Sequence, residues 1–200
     1  MSSERHGLGI FGGTFDPPHI GHLAAAVEVR SALRLERVEL MVANQPWQKA
    51  GERQLSSAFD RLALTEAAVR GIEGLAASDL EIQRGGPTYT FDTLCELRGS
   101  DPACQLFLIV GADAARGLPT WHRYEELGEL ATLVIVDREG DAHVEPPAGW
   151  AALHVAMPRL DVSSSDLRHR AQIGLPLAPY VPAEVVAGAR ARGLYGLRKS

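Results

Sequence analysis

Residues 106–110 are five consecutive apolar residues, Leu-Phe-Leu-Ile-Val, mostly β-branched or aromatic. A short, uniformly apolar run of this kind suits a strand buried on both faces, and such a strand needs covering layers above and below it. The rest of the chain supplies them. Residues 8–11, 38–42, 133–136 and 153–156 read as further strands, and residues 77–82 alternate as another strand would. Residues 59–69, 90–97, 124–130, 163–173 and 183–192 read as helices. After residues 8–11, a helix is predicted with Ile20, Leu23, Ala24, Val27 and Ser31 on one buried face. Residues 137–150, rich in Gly, Pro and charge, read as a loop. Strand–helix alternation of this kind predicts an α/β fold with a doubly wound, mainly parallel sheet and helices on both faces. Ligands in such sheets sit at the carboxyl ends of the strands, near the point where strand order reverses. At 200 residues the chain is expected to form a single domain, 1–200, with a small helical C-terminal subregion over about 163–200.

The formal net charge is −5, which argues against a broad basic surface for nucleic acid or an anionic membrane. A small polyanion stays available, because it needs only a local cluster of donors. The two cysteines, Cys95 and Cys104, have neither metal-knuckle spacing nor the numbers for a disulfide framework. They read as reduced packing residues. With a polar N-terminus lacking a signal-peptide pattern and no run long enough to span a bilayer, a cytoplasmic protein is expected.

The stretch Gly12-Gly13-Thr14-Phe15-Asp16-Pro17-Pro18-His19-Ile20-Gly21-His22 lies between the first strand and the first helix. Glycines there let backbone N–H groups approach a phosphate, and the helix start directs positive potential at the same spot. His19 and His22, three residues apart, can both face the loop and stabilise charge developing at phosphorus. Two other readings stand beside this one. Asp16, His19 and His22 supply two imidazoles and a carboxylate that a metal would accept, and a capped turn with two exposed histidines needs no ligand at all.

Other segments carry similar pairs of readings. Ser163-Ser164-Ser165-Asp166 precedes an apolar periodic run, and Ser163 with Asp166 is a capping-box variant. The same helix start, with Ser164 and Arg168 four apart on one face, also suits phosphate oxygens. Trp121 either covers a core edge or stacks on an electron-poor ring. Gly111 ends the most hydrophobic strand, and Asp113 beyond it suits ribose hydroxyls or a helix cap. Lys49 reads, from its surroundings alone, as a solvated loop lysine. His6, His143, His154 and His169 lack partners at suggestive spacing. Arg138 is placed to line a nucleotide pocket, although a loop arginine needs no such role.

The loop resembles the (H/T)xGH signature of the nucleotidyltransferase superfamily. Within it, the chain resembles bacterial nicotinate-nucleotide adenylyltransferases. Gly86-Pro87-Thr88-Tyr89-Thr90-Phe91-Asp92-Thr93-Leu94, Gly111-Ala112-Asp113, Leu118-Pro119-Thr120-Trp121-His122-Arg123, Val162-Ser163-Ser164-Ser165-Asp166-Leu167-Arg168, Tyr180-Val181-Pro182 and Gly193-Leu194-Tyr195 match its blocks in order. Ala43-Asn44-Gln45-Pro46-Trp47-Gln48-Lys49 sits at its lysine loop, with Trp47 and Gln48 in place of the commoner Pro-His.

The resemblance implies a Rossmann-like fold and transfer of the adenylyl group of ATP to nicotinate mononucleotide, with Mg²⁺ accompanying ATP. It implies catalytic roles for His19, His22, Lys49 and Arg168. It assigns ATP to Gly12, Gly13, Thr14, Phe15, His19, His22, Gly111, Asp113, Ser163, Ser164 and Arg168. It assigns the acceptor to Asp16, Lys49, Tyr89, Thr90 and Trp121, with Trp121 stacking on the nicotinate ring and the 89–90 amides holding its carboxylate. The expected partners are ATP and nicotinate mononucleotide, not nucleic acid or membrane, and a homo-oligomer is compatible with the sequence. A transferase for nicotinamide mononucleotide or phosphopantetheine, a noncatalytic nucleotide-binding module and a His/Asp metalloenzyme are the competing expectations.

Overall fold

Six parallel strands form the centre of the molecule. The computed structural model describes residues 7–46, 55–138, 140 and 144–198. In chain order the central strands are β1 (Gly7–Gly13), β2 (Arg37–Val42), β4 (Leu75–Ser78), β6 (Gln105–Gly111), β7 (Thr132–Arg138) and β8 (Ala152–Met157). They lie in the order β4-β2-β1-β6-β7-β8, every neighbouring pair parallel. The chain works outward from β1 in one direction, then returns to its other side with β6. The reversal falls between β1 and β6, and the loops leaving those two strands therefore open into one crevice.

Strand residues alternate between two apolar layers, as a period of two demands. Val38, Leu40, Val42, Phe107, Ile109, Val134 and Val136 face one layer. Met41, Leu106, Leu108, Val110, Leu133 and Ile135 face the other. The first layer is covered by α1 (Ile20–Leu33), α2 (Ala58–Val69), α7 (Ser164–Gln172) and α8 (Ala183–Ala191). The second is covered by α4 (Thr90–Ser100), α5 (Ala112–Gly117) and α6 (Tyr124–Leu130). Leu167 and Ala171 of α7 and Val185 and Ala189 of α8 join the same apolar cluster as the sheet. No helix among the described residues is long and apolar enough to cross a membrane.

Two local expectations are corrected. The strand expected over 77–82 is instead β4 followed by a short helix, α3 (Leu80–Arg84). Gly74 turns the chain at φ +73, so pairing with β2 begins at Leu75. On α1 the buried residues are Leu23, Ala25, Ala26 and Val29, whereas Val27 is 41% exposed. A helix rich in alanine gives little hydrophobic contrast between faces, so packing decides which one turns inward. A two-residue pairing, β3 (Gln45–Pro46) with β5 (Pro87–Thr88), ties the loop after β2 to the segment before α4. It was not legible in the sequence, because neither piece has enough length to show a period.

Candidate active site

Two cavities, each of about 310 Å³, open at the crevice. That is the lower end of the range for small-molecule sites. One is walled by Gly12, Gly13, Thr14, Met41, Pro46, Glu81, Thr88, Thr90, Thr93 and Trp121. The other is walled by His19, Gly21, Arg138, Ser163, Ser164, Ser165 and Arg168. Phe11, His22 and Gly111 belong to both, so the cavities meet there. A Cβ on Gly12 or Gly111 would meet no atom within 4 Å, so both backbones face open space.

His19 is the N-cap of α1 in extended geometry, φ −149° and ψ 171°, and is only 5% exposed. Its backbone N–H donates to His22 Nδ1 at 3.2 Å. A ring nitrogen that accepts carries no proton, so this contact assigns the His22 proton to Nε2. The two imidazoles stack with centroids 3.7 Å apart. Phe15 backs the His22 ring edge-on at 5.0 Å. Burial, and then the charge of Arg138, lower the His19 pKa to about 4, so the imidazole is neutral at pH 7. His19 Nδ1 is buried without a partner among the described residues.

The α7 start reaches the same loop. Ser163 caps the helix by accepting from the Asp166 N–H at 3.1 Å and donating to its carboxylate at 2.7 Å. Ser164 Oγ donates to the carbonyl of Pro17 at 2.8 Å, and Arg168 donates to the carbonyl of Asp16 at 2.7 Å. Both side chains therefore wall the second cavity while gripping the backbone beside it.

Several expected site residues lie elsewhere. Asp16 walls neither cavity: it is 1% exposed and accepts from the Tyr195 hydroxyl at 2.7 Å. Asp113 faces solvent, 96% exposed at its side chain, and pairs with Arg116 at 2.7 Å. The cavity wall at that turn is Gly111 and Ala114 instead. Phe15 is buried behind His22 and not in a cavity wall. The Tyr89 ring lies against His122, centroids 4.5 Å apart, leaving Thr88 and Thr90 on the wall. Lys49, with Trp47 and Gln48, falls outside the described residues.

Three residues of the site region carried no role in the sequence reading. Glu81 is a buried carboxylate on the first cavity's wall, held by the Thr93 hydroxyl at 2.7 Å, and burial raises its pKa. Arg61 is 1% exposed and donates to three backbone carbonyls: Ser56 at 3.1 Å, Thr14 at 2.9 Å and Asn44 at 3.0 Å. Burial lowers its pKa, opposed by Asp16, Tyr195 and Glu81. A signal for it existed: Arg61, Leu64, Thr65 and Ala68 share one face of α2, and an arginine in that register cannot be solvated. Tyr195 matched a family block, but its partner lies 179 residues away.

A family model described as cytidylyltransferase-like matches residues 10–170. A protein of Saccharopolyspora erythraea named probable nicotinate-nucleotide adenylyltransferase is 43% identical over 195 residues, covering 96% of this chain and 91% of the relative. The chain belongs to the nicotinate-nucleotide adenylyltransferase family. A second adenylyltransferase of that name, from Geobacillus thermodenitrificans, is 40% identical over 96% of this chain and 88% of its own length. The fold of this chain is shared by a far more distant sequence. A Plasmodium falciparum nicotinic acid mononucleotide adenylyltransferase, solved with NaAD, superposes with a TM-score of 0.80 at 17% identity, covering 98% of this chain and all of the other.

Proposed function

We propose that the protein transfers the adenylyl group of ATP to the 5′-phosphate of nicotinate mononucleotide, giving nicotinate adenine dinucleotide and pyrophosphate in NAD biosynthesis. The observation that carries this reading is the meeting of two cavities at His22 and Gly111. One substrate is assigned to each cavity, and the reacting phosphorus to the junction. The nucleophile is already an anionic phosphate, so the reaction needs alignment and charge stabilisation more than a base. His22, with its Nδ1 occupied by the His19 N–H, offers Nε2–H to the phosphate developing extra charge. His19 adds a neutral ring beside it, and the α1 N-terminus adds positive potential. Arg168 and Arg138 bring fixed charge to the second cavity, assigned here to the triphosphate with Ser163 and Ser164. Lys49 is assigned to phosphate through the family match alone.

The first cavity suits the acceptor. Its Trp121 offers an indole face to a pyridinium ring, and Thr90 begins α4, whose first amides favour a carboxylate over an amide. Among the described residues no three His, Cys, Asp or Glu side chains converge to hold a metal ion. A divalent ion is assigned to the nucleotide, as MgATP, where phosphate and water satisfy its preference for oxygen. The two cysteines form no disulfide among the described residues, and the reading assigns the reaction to the cytoplasm.

The test is pyrophosphate release from ATP and Mg²⁺ with nicotinate mononucleotide, run beside nicotinamide mononucleotide and phosphopantetheine. Release that is fastest with the nicotinate form supports the reading. A preference for either other acceptor, or ATP binding without release, overturns it.

A further inference from the structure

The chemistry assigned to the crevice uses His19, His22 and the α7 start, but the loop carrying the histidines is held from beneath by groups that reach neither cavity. We infer that Arg61, Asp16 and Tyr195 are positioning residues for adenylyl transfer, holding residues 14–17 so that His22 meets the reacting phosphate. The inference rests on the transfer reading above.

Three observations carry it. First, Arg61 and Asp16 are each 1% exposed. Charged side chains at that depth are expensive compared with an apolar pair of the same size, so their presence calls for a geometric reason. Second, the acceptors of Arg61 come from different parts of the site. Thr14 belongs to the histidine loop. Asn44 in turn donates its N–H to Thr88 Oγ and its amide to the Gly86 carbonyl, both at 2.9 Å. One planar fork thus sets the histidine loop against the wall of the first cavity. A lysine could not reproduce it, because it carries a single ammonium without the fork.

Third, Asp16 Oδ1 accepts from Tyr195 at 2.7 Å and Oδ2 faces the Ser56 N–H at 3.5 Å. Phe15, next to Asp16, and Tyr195 itself both have left-handed backbone angles, φ 49° and 58°. Non-glycine residues keep such angles only where their surroundings over-determine them. Phe15 is also the ring behind His22. Movement at Asp16 passes directly to Phe15 and from there to His22, and a misplacement of about 1 Å can cost on the order of 10²-fold in rate.

A purely structural role predicts something else: lower stability, with unchanged turnover of the protein that remains folded. Tyr195→Phe separates the two, since it deletes one hydroxyl and keeps the ring. In the full chain we expect kcat to fall about tenfold or more, with both KM values changed less than about threefold. Arg61→Lys, which keeps the charge and loses the fork, is expected to lower kcat further. A Tyr195→Phe enzyme with kcat within about twofold of wild type and a lower Tm overturns the inference. Amide hydrogen exchange supplies an arm independent of catalysis and covers an Arg61→Lys protein that fails to fold. Exchange over residues 12–17 should accelerate at least about tenfold in Tyr195→Phe while the sheet is unchanged, and unaltered exchange there overturns the inference. If wild-type protein releases no pyrophosphate, the transfer reading fails, and the exchange arm still reports whether the loop is held this way.

Discussion

A buried neutral imidazole leaves a signature in stability. His19 has its pKa lowered to about 4 in the folded protein, against about 6.5 when unfolded. The unfolded chain therefore binds more protons between those values. The contribution is complete above pH 6.5 and is lost as pH falls toward 4, up to about 3 kcal/mol in all. Denaturant unfolding at pH 7 and pH 5 should show a steeper loss for wild type than for His19→Asn. His22, which walls both cavities, is expected to matter for rate: His22→Ala should lower kcat about 10²-fold or more with its Tm nearly unchanged. Trp121→Ala should raise the acceptor KM about tenfold while leaving that for ATP alone, as steady-state kinetics with each substrate varied would show. At this scale the histidine pair was legible in the sequence because its spacing and glycines are local. Asp16 turns to Tyr195 and Asp113 to Arg116, and nothing local in the sequence distinguishes such a carboxylate from one turned to a ligand.

Two helices begin with the same cap. Ser57 accepts from the Asp60 N–H at 3.1 Å, as Ser163 does from Asp166 at the same distance. Removing either hydroxyl should lower stability by about 1 kcal/mol. Of the two, only Ser163 walls either of the cavities described above. Ser57→Ala should therefore shift the Tm alone, whereas Ser163→Ala should shift the Tm and raise the KM for ATP. Equal effects on that KM would remove the distinction. The elements were largely visible beforehand, α6 to the residue, because helical and strand periods repeat within a few positions. The inward face of α1 and the pairing of β3 with β5 were not, since each depends on what the rest of the chain presents.

For the whole molecule, the single-domain expectation becomes a statement about cooperativity. α8 packs on α2 and shares its apolar cluster with the sheet, and Leu64 at that contact is fully buried. We propose that the C-terminal helices are not an independent unit. Leu64→Ala should cost about 2–5 kcal/mol, and far-UV and near-UV signals should still report one shared unfolding transition. Separate transitions would show that the helices after about 163 melt by themselves.

The amino-acid order alone determined most of the strands and helices, that they alternate into a parallel sheet, and that the first turn and the α7 start carry residue types suited to phosphate. All of these depend on neighbours within one helical turn or one strand. Tertiary structure decided what lies opposite each of those groups. It brought Tyr195 to Asp16 across 179 residues and Arg168 to the Asp16 carbonyl across 152. It also buried Arg61 beneath two loops and divided the crevice at His22. The physical reason is that hydrogen bonds and burial act at a few ångströms in space, and only the folded topology converts distance along the chain into that separation.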